Sequence, residues 1–253
     1  MTMNRTTAIA LFCASAALAQ PSISTPAIGM ARNLSGSVQF VTGIAGNFVL
    51  ADAGIVYAIS AAFSGTAGFV KTNSELLVLD GSNQIVSRYD APAGPALFAF
   101  DSNGAPALVY YSGALFRFAN GNPAPLNWSG NPIAIAIGGL GSAMILDDRG
   151  GQLWKVRISL VSGAIEYEAL LAGVNGPAAL LPGDSIVYFD GSEIVVRDPA
   201  GTERRAAAGM APAYLEQMGK DWIAIREAGP GRLFALRIRQ QSLDLYQLPE
   251  VSQ

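Results

Sequence analysis

From Ser37 onward the chain repeats one phrase: four to six apolar or β-branched residues, a turn built from Asp, Asn, Gly or Ser, then another such run. Examples are Asn47-Phe48-Val49-Leu50-Ala51-Asp52-Ala53-Gly54, Leu76-Leu77-Val78-Leu79-Asp80-Gly81 and Ser185-Ile186-Val187-Tyr188-Phe189-Asp190-Gly191. Short apolar runs punctuated by turn formers signal strands. Beyond residue 19 no segment offers a capped run of helical periodicity of about ten residues or more, so the pattern predicts an all-β chain.

The phrase is organised at a longer period. Glu75-Leu76-Leu77-Val78-Leu79-Asp80, followed by a turn and Pro95-Ala96-Leu97, has a counterpart 118 residues on: Glu193-Ile194-Val195-Val196-Arg197-Asp198, a turn, then Pro212-Ala213-Tyr214. Two further units fit between these copies and one follows, with third strands near Leu77, Phe116, Trp154, Val195 and Phe234, a step of 38 to 41 residues. Pro95, Pro132, Pro177 and Pro212 each precede an apolar run, at a strand entrance where a missing amide donor costs least.

Four short strands in about forty residues is the size of a propeller blade, one twisted sheet that buries its faces against its neighbours. On these repeats the chain resembles the β-propeller superfamily, with a weaker likeness to NHL- or lactonase-like and quinoprotein-like repeats. The resemblance implies an all-β propeller of five or six four-stranded blades.

The blade strands are expected at 55–60, 67–71, 75–80 and 84–90; at 96–100, 107–111, 114–118 and 124–128; and at 133–138, 142–147, 152–158 and 164–171. Two more blades follow at 178–181, 185–190, 193–198 and 202–208, and at 213–217, 221–226, 232–238 and 242–248. Strands at 37–42 and 47–52 are left over. They either complete a blade with the C-terminus or belong to a degenerate sixth blade.

The segment Leu146-Asp147-Asp148-Arg149-Gly150-Gly151-Gln152-Leu153-Trp154-Lys155 resembles the turn-plus-tryptophan signatures of quinone-dependent dehydrogenase repeats and sialidase Asp boxes. It departs from both by one residue in the Gly-to-Trp spacing and occurs once. Its physical content is a hairpin turn and a tryptophan, Trp154, expected to fill a gap between blades.

At the N-terminus, Arg5, the apolar run Ala8–Ala17 and the small-residue site Ala17-Leu18-Ala19 read as a signal peptide over 1–19. An N-terminal extension over 20–34 and a single propeller domain over 35–250 follow. The expected localisation is secreted or periplasmic. The one cysteine, Cys13, is lost with the signal, so the mature chain would carry neither disulfide nor thiolate metal site. Two uncharged stretches, 33–51 and 53–70, are broken by Gly, Ser and Thr and read as short strands, so no integral membrane segment is expected.

The chain has no histidine, which excludes histidine-based catalysis. Without Arg5, 15 of the 16 basic residues remain against 19 acidic ones, dispersed along the chain, and nucleic acid is not an expected partner. P-loop, dinucleotide, Gly-x-Ser-x-Gly and Ser-x-x-Lys patterns are absent.

What remains is carboxylate chemistry near the ring axis, reached from first strands and the loops leaving them. That placement selects Asp101 and Glu216 as pore-side binding candidates, with Asn103, Asp52, Asp184 and Asn47 further out. No catalytic or metal residue is assigned, and no cofactor is expected. The reading is an exported, non-catalytic propeller that binds or scaffolds a protein or polymer partner on one face. The alternative is a calcium-assisted or carboxylate-driven hydrolase, lactonase- or glycosidase-like, with its site at the pore.

Overall fold

A computed structural model describes residues 26–249 except 120, 140 and 175. The signal-peptide reading and Cys13 lie outside the described residues.

Six antiparallel sheets are arranged around one axis, each built from strands consecutive in the chain. The first has three strands, β1 (Ala27–Arg32), β2 (Val38–Ile44) and β3 (Asn47–Asp52). Blade 2 is β4 (Ser60–Phe63), β5 (Ala67–Lys71), β6 (Glu75–Asp80) and β7 (Ile85–Asp90). Blade 3 is β8 (Ala96–Phe100), β9 (Pro106–Tyr111), β10 (Ala114–Ala119) and β11 (Asn122–Leu126). Blade 4 is β12 (Pro132–Ile137), β13 (Ser142–Asp148), β14 (Leu153–Ser159) and β15 (Ile165–Leu170). Blade 5 is β16 (Ala178–Leu180), β17 (Ile186–Phe189), β18 (Glu193–Arg197) and β19 (Glu203–Ala207), and blade 6 is β20 (Pro212–Gly219), β21 (Trp222–Glu227), β22 (Leu233–Ile238) and β23 (Leu243–Gln247).

The count is six: the leftover strands form their own blade instead of sharing one with the C-terminus. No helix among the described residues is long and apolar enough to cross a membrane.

Each blade is apolar on both faces, and the core is accordingly six slabs, one per interface between neighbours. Phe69, Val109 and Phe118 meet between blades 2 and 3, and Met144, Leu146 and Tyr188 between blades 4 and 5. Trp154 packs into the slab between blades 3 and 4, the expected gap-filling place, with Arg149 stacked 4.9 Å over its ring. Burying apolar area at about 25 cal/mol per Å² is what each interface supplies.

Two strands fall elsewhere than expected. The segment read as an extension contains β1, and the inner strand of blade 2 starts at Ser60 rather than residue 55. The apolar run Ile55-Val56-Tyr57-Ala58 instead hooks back onto blade 1: the Val38 amide donates to the Ile55 carbonyl and the Ala58 amide to the Gly36 carbonyl. Tyr57 takes a positive φ of 60° in that hook, which breaks the extended conformation.

A three-strand blade has a topological consequence. Four antiparallel strands return the chain to the face it entered from, whereas three deliver it to the opposite face. β1 therefore runs counter to β20: Ile28 lies against Gly219, and Arg32 against Glu216. β4 and β20 also contact each other directly, so β1 is wedged into the seam between blades 6 and 2.

Candidate functional site

The inner strands are rich in alanine, and small side chains leave the axis hollow. A cavity of about 520 Å³ is lined by Ala61 and Ala62 of β4, Ala96 of β8, Ala134 of β12, Ala178 and Ala179 of β16 and Ala213 of β20, with larger apolar neighbours on the same strands. Pro95 and Pro177 place its mouth on the face where the chain enters blades 2 to 6. This is an ordinary size for a small-molecule pocket.

The wall carries two charged side chains, Arg32 and Glu216. Arg32, the last residue of β1, donates from Nη2 to Glu216 Oε1 at 3.2 Å, and each side chain is about one-fifth exposed, 19% and 20%. The Arg32 guanidinium lies 5.0 Å over the Tyr214 ring. Behind the wall, Arg226 is buried and donates to the Tyr214 hydroxyl, to the Arg32 carbonyl oxygen and, at 2.8 Å, to the Gly231 carbonyl oxygen. Burial raises the Glu216 carboxyl above its ordinary value near 4.5, against the opposing pull of Arg32 and Arg226. Burial also raises the Tyr214 phenol, and the neighbouring Glu216 adds to it.

A second cavity, about 390 Å³, opens on the opposite face among the loops leaving the inner strands, and Gln217 lines both. Asp101 belongs here, not to the channel. Its Oδ1 accepts the amides of Asn103 at 2.8 Å and Ala105 at 2.9 Å, so the carboxylate is engaged in its own turn. Asp80 uses Oδ1 the same way, accepting the amides of Ser82 and Gln84. Of the outer candidates, Asn103 accepts the Thr66 hydroxyl at its carbonyl, Asp52 caps the Gly54 amide, and Asn47 begins β3. Asp184, in the loop leaving β16, pairs with Arg157 at 3.1 Å.

The structure thus separates Asp101 from Glu216. It adds to Glu216 three residues that sequence reasoning missed: Arg32, Tyr214 and Arg226. A signal for Arg32 exists, since it is the only charge in the run Ile28-Gly29-Met30-Ala31-Arg32, but by sequence that run reads as part of an extension.

No protein-family model matches the chain, and no curated protein matches it. Solved structures do. Streptogramin B lyase superposes with a TM-score of 0.50 at 14% identity, over 90% of this chain and 84% of that one. PorZ, a bacterial surface component of the type-IX secretion system of Porphyromonas gingivalis, gives 0.51 at 15%, over 88% of this chain and 31% of that one. Hydrazine synthase of Kuenenia stuttgartiensis gives 0.51 at 13%, over 87% and 80%. The fold is a β-propeller. At such identities the likeness carries the propeller architecture alone, and the named proteins include a lyase, a secretion component and a synthase.

Proposed function

We propose that this propeller is an exported, non-catalytic binding module whose ligand, or the protruding group of a protein or polymer partner, seats an apolar portion in the axial channel. The observation that carries the reading is the channel itself: about 520 Å³, alanine-walled, with one ion pair on its side. A few polar groups on an otherwise apolar concave wall is the usual composition of a ligand pocket. Leu34 and Tyr57, each 71% exposed, stand two residues from the channel-lining Arg32 and Ile59 and supply apolar surface for a partner on that face.

The donor set does not fit the calcium alternative. Calcium takes six to eight oxygen ligands, usually several carboxylates, and the channel offers one carboxylate already paired to a guanidinium. Among the described residues no cluster of three His, Cys, Asp or Glu is placed to hold a metal. A two-carboxylate glycosidase arrangement meets the same difficulty, because Asp101 lines the other cavity.

The channel reading is tested with Nile red, a neutral dye that brightens in apolar surroundings. The expected result is saturable binding of one dye per chain, abolished by Ala213→Trp, which fills the mouth from an exposed position and leaves the core untouched. Dye binding that does not saturate, or that Ala213→Trp leaves unchanged, would overturn it.

A further inference from the structure

The ligand class follows from the charge balance at the channel wall. Two guanidinium groups, Arg32 and Arg226, converge on Tyr214, and a single carboxylate, Glu216, faces them. The nearby Glu227 is already taken up by Arg232, through contacts at 2.5 and 2.8 Å. Arg226 spends its donors on two carbonyls and a phenol, none of which carries negative charge. The half-buried cluster is therefore one positive charge in excess, and its limited exposure leaves those charges less screened than in water.

A second observation comes from hydrogen bonding. Arg32 Nε is buried and has no acceptor, although its neighbour Nη2 is engaged with Glu216. Arginine presents its donors as a fork suited to a planar carboxylate, and half of this fork is unused. The rest of the wall is apolar, with Leu97, Phe98, Ile133 and Leu215 among its residues.

We infer that the channel binds amphipathic monocarboxylates, the anionic head held at Arg32 and the hydrocarbon part lying along the alanine-lined axis. This rests on the channel being a ligand seat, as proposed above. A carboxylate cancels the excess charge and, on a turn of the guanidinium that brings Nε to the channel, gives that donor the acceptor it lacks. An alcohol of equal length does only part of the second, and an amine adds to the imbalance.

Isothermal titration of the purified protein with octanoate, octanol and octylamine tests the class. Octanoate is expected to bind one per chain, at least about ten-fold tighter than either comparator. Arg32→Gln should bring octanoate down to the octanol level, while Glu216→Gln, which removes a competing carboxylate, should bind octanoate at least as tightly as the wild type. Octanol or octylamine binding as well as octanoate would overturn the inference, and so would an Arg32→Gln variant that keeps the preference.

The wild-type comparison stands by itself if Arg32→Gln does not fold. Nile red separates the two levels of failure. Saturable dye binding without octanoate preference removes the carboxylate assignment alone, whereas absence of dye binding removes the channel as a ligand seat.

Discussion

Glu216 shows how one residue couples the site to stability. Its proton affinity is raised in the folded state, so the folded protein holds that proton more tightly than the unfolded chain does. The stability it contributes is fully present below the ordinary value near 4.5 and is lost as pH rises through the raised folded value. Asp190 and Glu203, both held down to about 2 by hydrogen bonds, from backbone amides first at Asp190 and from Arg205 first at Glu203, act with the opposite sign and lose their contribution as pH falls towards about 2. Comparing Glu216→Gln with the wild type isolates the first effect. Urea midpoints measured from pH 4 to pH 8 should decline less steeply with rising pH in the variant, and parallel profiles would show that Glu216 is not desolvated as described. Glu216 was legible as a pore-side residue from its place in a first strand. Its partners were not, because the Arg32 contact joins positions 184 residues apart.

At the scale of elements, β1 is the piece that makes the ring close. Its backbone lies so near the end of β20 that a Cβ on Gly29 would come within 1.6 Å of the Met218 carbonyl oxygen, and one on Gly219 within 2.1 Å of the Ile28 carbonyl oxygen. Neither backbone can retreat without opening the seam, so the pair of glycines is a packing requirement. Gly29→Ala is expected to cost at least about 2 kcal/mol by urea denaturation. Gly139→Ala, where nothing lies within 4 Å of the added atom, serves as the comparison and should stay within about 0.5 kcal/mol of the wild type. Equal effects would dismiss the close-approach argument. The repeat period located the five four-stranded blades to within a few residues, apart from the inner strand of blade 2. It missed β1 because a lone strand of reversed direction belongs to no repeat.

For the whole molecule, both ends of the chain meet at one seam with no strand shared across it. Besides the Arg32–Glu216 ion pair and the Arg226 hydrogen bond to the Arg32 carbonyl, packing holds blade 1 to blade 6: Phe48 lies edge-on to Trp222 at 5.9 Å and to Tyr246 at 5.7 Å, in a slab with Met218 and Val41. Phe48→Ala removes the centre of that cluster and is expected to destabilise by about 3–5 kcal/mol. Native-state hydrogen exchange should then accelerate in β1–β3 more than in β12–β15, because blade 1 is terminal and loses its contact with one of its two neighbours. Uniform acceleration around the ring would mean that the seam is no weaker than any other interface.

The sequence by itself determined what is local or periodic: the all-β character, the turns built by aspartates such as Asp80 and Asp101, the near-forty-residue step, and the absence of histidine chemistry. These depend on neighbours within a few residues or on repetition, both visible in one dimension. Only the tertiary structure decided the blade count, the reversal of β1, the separation of Asp101 from Glu216, and the Arg32–Glu216–Tyr214–Arg226 cluster. The blade count, the reversal and the cluster arise where the first and last blades of a closed ring touch, and the separation of the two carboxylates from which end of the channel each loop or strand faces; closure brings together residues that no sequence spacing relates.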